Sequence, residues 1–442
     1  MIGTIAKKEF LDFLKSAKFL VGLVVTLVIT VVATAINIQD FKTRQQDYAA
    51  AREEMKGNKF EVLIYRPPQV LSVLVQGKDR VLGSKASLTT MTIPDRLTGY
   101  MGSRGAERQR SLSGFGSVDF AFVVRVILSL IVIFLAYNAV SEEKSFGTLK
   151  LALANSVPRH HVLLGKALAG LAIVLGSLFI AAAACVLLML IQPFIVLTGS
   201  DTMRILNLVA ASALYLITVY ILSLFVSVMV IRPSSALMIL LQLWIFLVVI
   251  YPHLGVNITE NFSRLPDDRE LAAMKQAAFQ PYAAEFNKVR DAYLYKGDRS
   301  PETGRRYLEL QALESQKFHE VDQEFGRLLT RQMRLAQDIC FLSPAVLFDR
   351  MANRYARTGV DEYERFMQGL SRYWKTKYLD LQKLRYEDVN AYRKAEVPAF
   401  DYPTEKTAEA WITTIPQGLI LCLLSLILFV LTYAAFLNKD VR

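Results

Sequence analysis

Cysteine is scarce: there are three in 442 residues, with Cys185 and Cys422 inside apolar stretches and Cys340 in a hydrophilic segment. One thiol outside the apolar stretches leaves no pair for an intrachain disulfide framework there. Neither CxxC nor HExxH occurs, and the adjacent His160 and His161 lack neighbours to complete a zinc site, so they read as interfacial residues. A GxxxxGK(S/T) loop is missing too. Gly165-Lys166 follows Leu164 and precedes Ala167, without a phosphate-cradling turn, so the chain is not expected to hydrolyse ATP by itself. No Ser-His-Asp or paired-carboxylate constellation can be located from spacing, and no internal repeat or low-complexity tract is present.

What is abundant is apolar surface in long runs. Charge-free stretches cover Phe19–Gln39, Ala167–Leu197, Ile205–Ile231, Pro233–Pro252 and Ala410–Asn438. Each is about 20 residues or more, and a helix of that length crosses a hydrocarbon core of about 30 Å. A sixth run, 118–141, carries Asp119 and Arg125 in its outer third, where both can snorkel to the nearer interface. A soluble single-domain enzyme is excluded. The first run is longer than a signal-peptide core and no small-residue cleavage site follows it, so it is expected to remain as an anchor.

The net charge of +11 is unevenly placed. The N-terminus, the 142–166 loop, Arg232 and the C-terminal tail together hold +11 and −5, whereas 38–117 holds +13 and −8 and 256–411 holds +25 and −25. The positive-inside bias puts the first group in the cytoplasm and the other two segments outside. A nucleic-acid-binding module would concentrate its basic excess on one soluble face, and the largest soluble segment has no excess, so no nucleic acid partner is expected. The surplus serves orientation and anionic lipid headgroups.

The predicted fold is an α-helical integral membrane protein. A cytoplasmic interfacial helix covers 1–18, and six transmembrane helices cover 19–39, 118–141, 165–197, 204–231, 233–254 and 412–438. A helix and a small mixed α/β extracytoplasmic lobe occupy 40–117, a cytoplasmic helix and loop 142–164, a large helical extracytoplasmic domain 256–411, and a cytoplasmic tail 439–442. In the first segment Ile2, Ile5, Ala6, Phe10, Phe13 and Leu14 share a face that suits the membrane interface, the alternative being a plain extension of the first span. In the lobe, Phe60–Tyr65 and Gln69–Gln76 read as strands separated by Arg66-Pro67-Pro68, and Gly99–Gly116 as a flexible return. The outer domain shows helical patterns at Arg269–Tyr295, Thr303–Cys340, Pro344–Tyr355 and Asp361–Tyr392, broken at Gly297, Ser300-Pro301, Ser343-Pro344 and Gly359. Its Tyr, Phe and Leu stripes, such as Tyr307, Leu310, Leu313, Phe318 and Val321, read as helix–helix core.

The informative segment lies between the second and third spans and runs from Ser141-Glu142-Glu143-Lys144-Ser145-Phe146-Gly147-Thr148-Leu149-Lys150 to Pro158-Arg159 and Leu164-Gly165-Lys166. Phe146, Leu149 and Leu153 would share one face of a short amphipathic helix, which can lie on the membrane or dock into a partner's cleft; Ser156 and Pro158 break it. Here the chain resembles permease subunits of the second large ABC exporter family (type V exporter-like), whose first intracellular loop reads roughly E-x-x-x-G-T-L, followed by a basic residue and a Gly-Lys. Glu143, Gly147, Thr148, Leu149, Arg159, Gly165 and Lys166 carry the match. In that family the excursion before the last span is a short hairpin, which Leu342-Ser343-Pro344-Ala345 with Phe348 and Thr358-Gly359 resembles. The lobe and the rest of 256–411 are enlargements that point to a subclass with big extracytoplasmic domains.

The resemblance implies a non-catalytic chain in a bacterial inner membrane, with both termini cytoplasmic. A second permease, identical or homologous, and two separate ABC ATPase subunits would complete the complex, with ATP and Mg bound by the ATPases and no cofactor on this chain. Phe146 and Leu149 would anchor the ATPase, Glu142 and Glu143 would meet its basic residues, and Gly147 would allow close backbone approach; Thr148, Arg159 and Lys166 complete the coupling set. The alternative is an ordinary juxtamembrane helix in water. Arg125 either faces a polar cavity on the substrate route, pairs with Asp119, or snorkels, the last being preferred; Gln192, Gln242 and His253 are weaker pathway candidates. Export or extraction of an amphipathic, lipid-like or peptide substrate is the expected function. The alternatives are mechanotransmission to an extracytoplasmic partner and a receptor or scaffold without an ATPase.

Overall fold

Apolar runs too long for one side of a soluble core become the scaffold of the computed structural model, which describes residues 2–54, 59, 62–77, 85–88, 118–148, 158–262 and 265–438. Helix α1 (Ile2–Lys15) is separated by Ser16 from α2 (Ala17–Glu54). The first span and the polar stretch after it therefore form one rod. Then come α3 (Phe120–Ser145), α4 (Arg159–Leu190), α5 (Gly199–Met229) and α6 (Pro233–Ile250), which runs on directly as α7 (Tyr251–Phe262). The insert continues with α8 (Asp268–Leu294), α9 (Pro301–Ile339), α10 (Pro344–Ala356), α11 (Val360–Tyr373), α12 (Leu379–Glu387) and α13 (Val389–Lys394). Helix α14 (Thr407–Asn438) closes the chain. Six of these helices, α2 to α6 and α14, are long and apolar enough to cross a membrane.

Local chemistry sets the helix ends. The Thr198 hydroxyl accepts from the Asp201 N–H while Asp201 accepts from the Thr198 N–H, and Asp267 with Glu270 repeats this capping box on α8. Pro233 opens α6, and Ser343 caps α10 with Pro344 in its first turn. Arg357, at φ 57°, ends α10 in the left-handed region.

Helix α5 is the axis of the bundle. It packs on α3, α4, α10 and α14, and buries Arg204, Leu208, Tyr215, Leu216, Tyr220 and Leu224. Its hydroxyls return to the preceding turn, as Ser212 to the Leu208 carbonyl at 2.8 Å, or cross to a neighbour, as Thr218 to Ser425 at 2.7 Å. In the insert, α8 and α9 form a hairpin cored by Phe279, Phe286, Tyr307 and Leu310. Strand β1 (Val62–Tyr65) pairs antiparallel with β2 (Lys85–Leu88), Val62 opposite Leu88, and Val62, Ile64 and Leu88 bury against Tyr363, Phe366, Leu370 and Trp374.

One reading is corrected. The run 69–76 is no strand: Val70–Val73 makes a 3-10 turn, because Leu71, Val73, Leu74 and Val75 are all buried, and an alternating strand would expose half of them. Part of the apolar face of α1 packs on the bundle. Ile5 sits on α4, and Phe10 and Phe13 join Phe19, Leu135 and Ile173. The predicted return at 99–116, the helix face through Leu149 and Leu153, the break at Ser156 and the tail 439–442 lie outside the described residues.

Candidate functional site

Because the spans alternate in direction, the segment after α3, the start of α4, the end of α5, the start of α6, helix α1 and the end of α14 meet at one end of the bundle. The last turn of α3, Ser141–Ser145, is pinned there to α5. The Val140 and Ser141 N–H groups donate to Ser227 Oγ at 3.1 and 3.2 Å, and Lys144 Nζ donates to the Val228 carbonyl. Glu142 stays at the surface, accepting from Asn138 Nδ2 at 2.5 Å. Phe146 projects outward, 74% exposed. Gly147 follows with φ +73°, a backbone conformation that favours glycine, and a Cβ there would meet nothing of this chain within 4 Å. The last turn of α3 ends at Phe146, and Thr148 is helical again; the helix face expected through Leu149 and Leu153 lies outside the described residues. Thr148 is exposed.

Glu143 turns the other way. It reaches Lys166 Nζ at 2.9 Å, and Glu9 of α1 reaches the same ammonium at 2.9 Å. The Lys166 side chain is only 6% exposed, so two carboxylates compensate one buried cation. Gly165 makes this possible: a Cβ on it would stand 2.7 Å from Ile5 Cγ2, so only glycine lets α1 lie this close to α4. Tyr220 of α5 donates to the Lys166 carbonyl at 3.1 Å. Arg159 donates to the Leu437 carbonyl at 2.9 Å and so caps the end of α14. The His160 and His161 rings lie 4.4 Å apart, tilted at 53° to each other, and among the described residues no His, Cys, Asp or Glu group is arranged to hold a metal.

The expected coupling residues therefore divide. Glu142, Phe146 and Thr148 face outward, whereas Glu143 and Lys166 face each other and Arg159 faces α14. Glu9 was missed by sequence reasoning. Its only signal was a carboxylate on the otherwise apolar side of α1.

At the opposite end, Arg125 neither snorkels nor pairs with Asp119. It forms an ion pair with Asp349 of α10, while Asp119 caps α3 through the Phe122 N–H at 2.7 Å and accepts from the Gln76 N–H at 2.8 Å. Arg125 sits in a π-helical turn, Val123–Leu128, whose Arg125 carbonyl accepts from Tyr215 Oη at 2.9 Å. Gln192 lies half-buried in the turn after α4, Gln242 is exposed on α6, and neither meets Arg125; the His253 side chain is outside the described residues.

Also at this end, the Glu405 side chain, 1% exposed, contacts Arg354 at 2.5 Å, Arg365 at 3.2 Å and Arg204 of α5 at 3.5 Å. Arg204 further donates to the Glu405 carbonyl at 3.0 Å. Burial pushes the carboxyl of nearby Glu362 above the ordinary Glu value, and the Tyr402 hydroxyl, 2.8 Å away, opposes the shift. This cluster was also missed: Arg204 stands one residue before the apolar run that begins at Ile205, and Glu405 is 201 positions away in the sequence.

A bundle of six apolar helices, with an aromatic side chain held outward beside a carboxylate at one end and a helical insert at the other, defines a multi-pass membrane protein. The family model described as ABC-2 family transporter protein matches residues 3–441, and the chain belongs to that family. It is a permease subunit of an ABC transporter, a class of generally non-catalytic membrane subunits that associate with ABC ATPase partners. No curated protein matches the chain significantly.

Proposed function

We propose that this permease couples ATP hydrolysis by two separate ATPase subunits to export or extraction of an amphipathic, lipid-like or peptide substrate, and that the segment 141–148 is the contact through which the ATPases push. The observation that carries this reading is Phe146, 74% exposed on a helix end whose backbone is bonded to α5. A rigidly backed aromatic anchor beside an acidic residue suits a docking hot spot. Glu142 and Thr148 belong to that surface and Leu149 is the further apolar anchor proposed for it, while Glu143, Lys166 and Arg159 act from within as its support. In this reading the loop end and both termini are cytoplasmic, the insert lies outside a bacterial inner membrane, and ATP and Mg belong to the partner chains.

A second permease fits against α6. This span is little buried by its own chain and exposes Gln242 in its apolar middle, where an amide facing lipid is costly. Arg125 and Asp349 are the charged lining of the substrate route. Mechanotransmission to an extracytoplasmic partner is the second reading, favoured by the Glu405 cluster that ties α5 and the start of α14 to the insert.

The test is co-purification. Replacing Phe146 and Leu149 together by Asp is expected to release the ATPase from the tagged chain while the membrane portion stays folded. Retention of the ATPase with full coupling would assign its contact elsewhere.

A further inference from the structure

Helix α1 has two sides with different tasks. Ile5, Glu9 and Phe13 turn toward the bundle, onto Gly165, Lys166 and the Phe19 cluster. Lys7, Lys8, Leu11, Leu14 and Lys15 are exposed on the other side. With about 3.6 residues per turn, Leu14, Lys7 and Leu11 occupy one edge of that side and Lys15 and Lys8 the next. Asp12, also exposed, sits at the margin of the cationic edge and leaves it net positive.

Only Ser16 separates α1 from the first span, so α1 lies where that span meets water. An apolar edge beside a cationic edge at that depth is complementary to the headgroup–acyl boundary of a bilayer containing anionic lipid. The inner side of the same helix carries Glu9, and the Lys166 ammonium that holds Glu9 also holds Glu143 of the 141–148 segment. A roll of α1 on the membrane surface therefore moves one of the two carboxylates that share a buried cation.

We propose that α1 is an anionic-lipid-binding surface whose engagement is transmitted through the Glu9–Lys166–Glu143 bridge to the segment 141–148. The inference takes its consequence for ATPase docking from the function proposed above, but its test needs no ATPase.

The purified full chain is placed in nanodiscs of phosphatidylcholine alone, or with about one third phosphatidylglycerol, and followed by hydrogen–deuterium exchange. Phosphatidylglycerol is expected to slow exchange of α1 about tenfold and to slow 141–148 in parallel. Replacing Lys7, Lys8 and Lys15 by Gln is expected to abolish both responses. Lys166→Met should keep the α1 response and lose that of 141–148. Glu9→Gln, which preserves size and leaves Glu143 on the lysine, should show the same split without removing the buried cation. An α1 indifferent to phosphatidylglycerol overturns the lipid surface. A response of 141–148 that persists in both Lys166→Met and Glu9→Gln overturns the bridge. Failure of the ATPase to release from the Phe146 and Leu149 variant bears on docking alone and leaves these readouts intact.

Discussion

Glu405 is where single-residue chemistry matters most. Its side chain is almost wholly buried and faces guanidinium groups from α5, α10 and α11. Taking the charge away while keeping the shape leaves those cations in a poorly solvated site, where breaking a buried pair costs about 3 kcal/mol or more. Glu405→Gln is therefore expected to lower the thermal unfolding midpoint of the purified protein clearly. An unchanged midpoint would mean that the backbone carbonyls around Arg204, among them that of Glu405 at 3.0 Å, suffice to hold it. Lys166 presents the reverse arrangement, one cation and two carboxylates, and there Glu9→Gln is the milder change because Glu143 remains.

At the scale of elements, α10 is the wedge on which the insert meets the spans. Its buried face of Leu347, Phe348, Met351 and Tyr355 packs among them, Phe348 stacking on Tyr215 with centroids 5.2 Å apart. The π-helical turns Val123–Leu128 in α3 and Ile245–Ile250 in α6 flank it, and a carbonyl in each accepts a side-chain hydroxyl: Tyr215 bonds Arg125, and Ser343 bonds Leu247 at 2.7 Å. Arg125 and Asp349 are each about a third exposed, so their pair is expected to be modest. Arg125→Ala and Asp349→Ala should each cost about 1 kcal/mol and the double variant little more than either; additive losses in a thermal double-mutant cycle would show that the two side chains act independently. The breaks at Ser300-Pro301 and Ser343-Pro344 were legible in the sequence because capping is chemistry between residues three or four apart. The partners were not legible, since Arg125 and Asp349 are 224 positions apart and nothing in either neighbourhood names the other. The same holds for Glu9 and Lys166. The apolar run at 69–76 was misread because a segment buried on all sides loses the alternation that separates strand from turn.

For the whole molecule, the order of helices puts Phe146 and the tip of the α8–α9 hairpin at opposite ends. Tyr295, 78% exposed, marks that tip. With the loop end in the cytosol, a membrane-impermeant maleimide applied to intact cells is expected to label Tyr295→Cys and to reach Phe146→Cys only after lysis. The opposite pattern would invert the topology read from the basic residues and remove the ATPase contact with it. Helix α2 has 38 residues in one unbroken run, about 57 Å at 1.5 Å per residue. Such a rod is a lever: a tilt of about 10° imposed at its foot displaces the other end by about 10 Å. A rearrangement beside Lys166 that tilted this rod would thereby be magnified before it arrived at the strands docked on the insert.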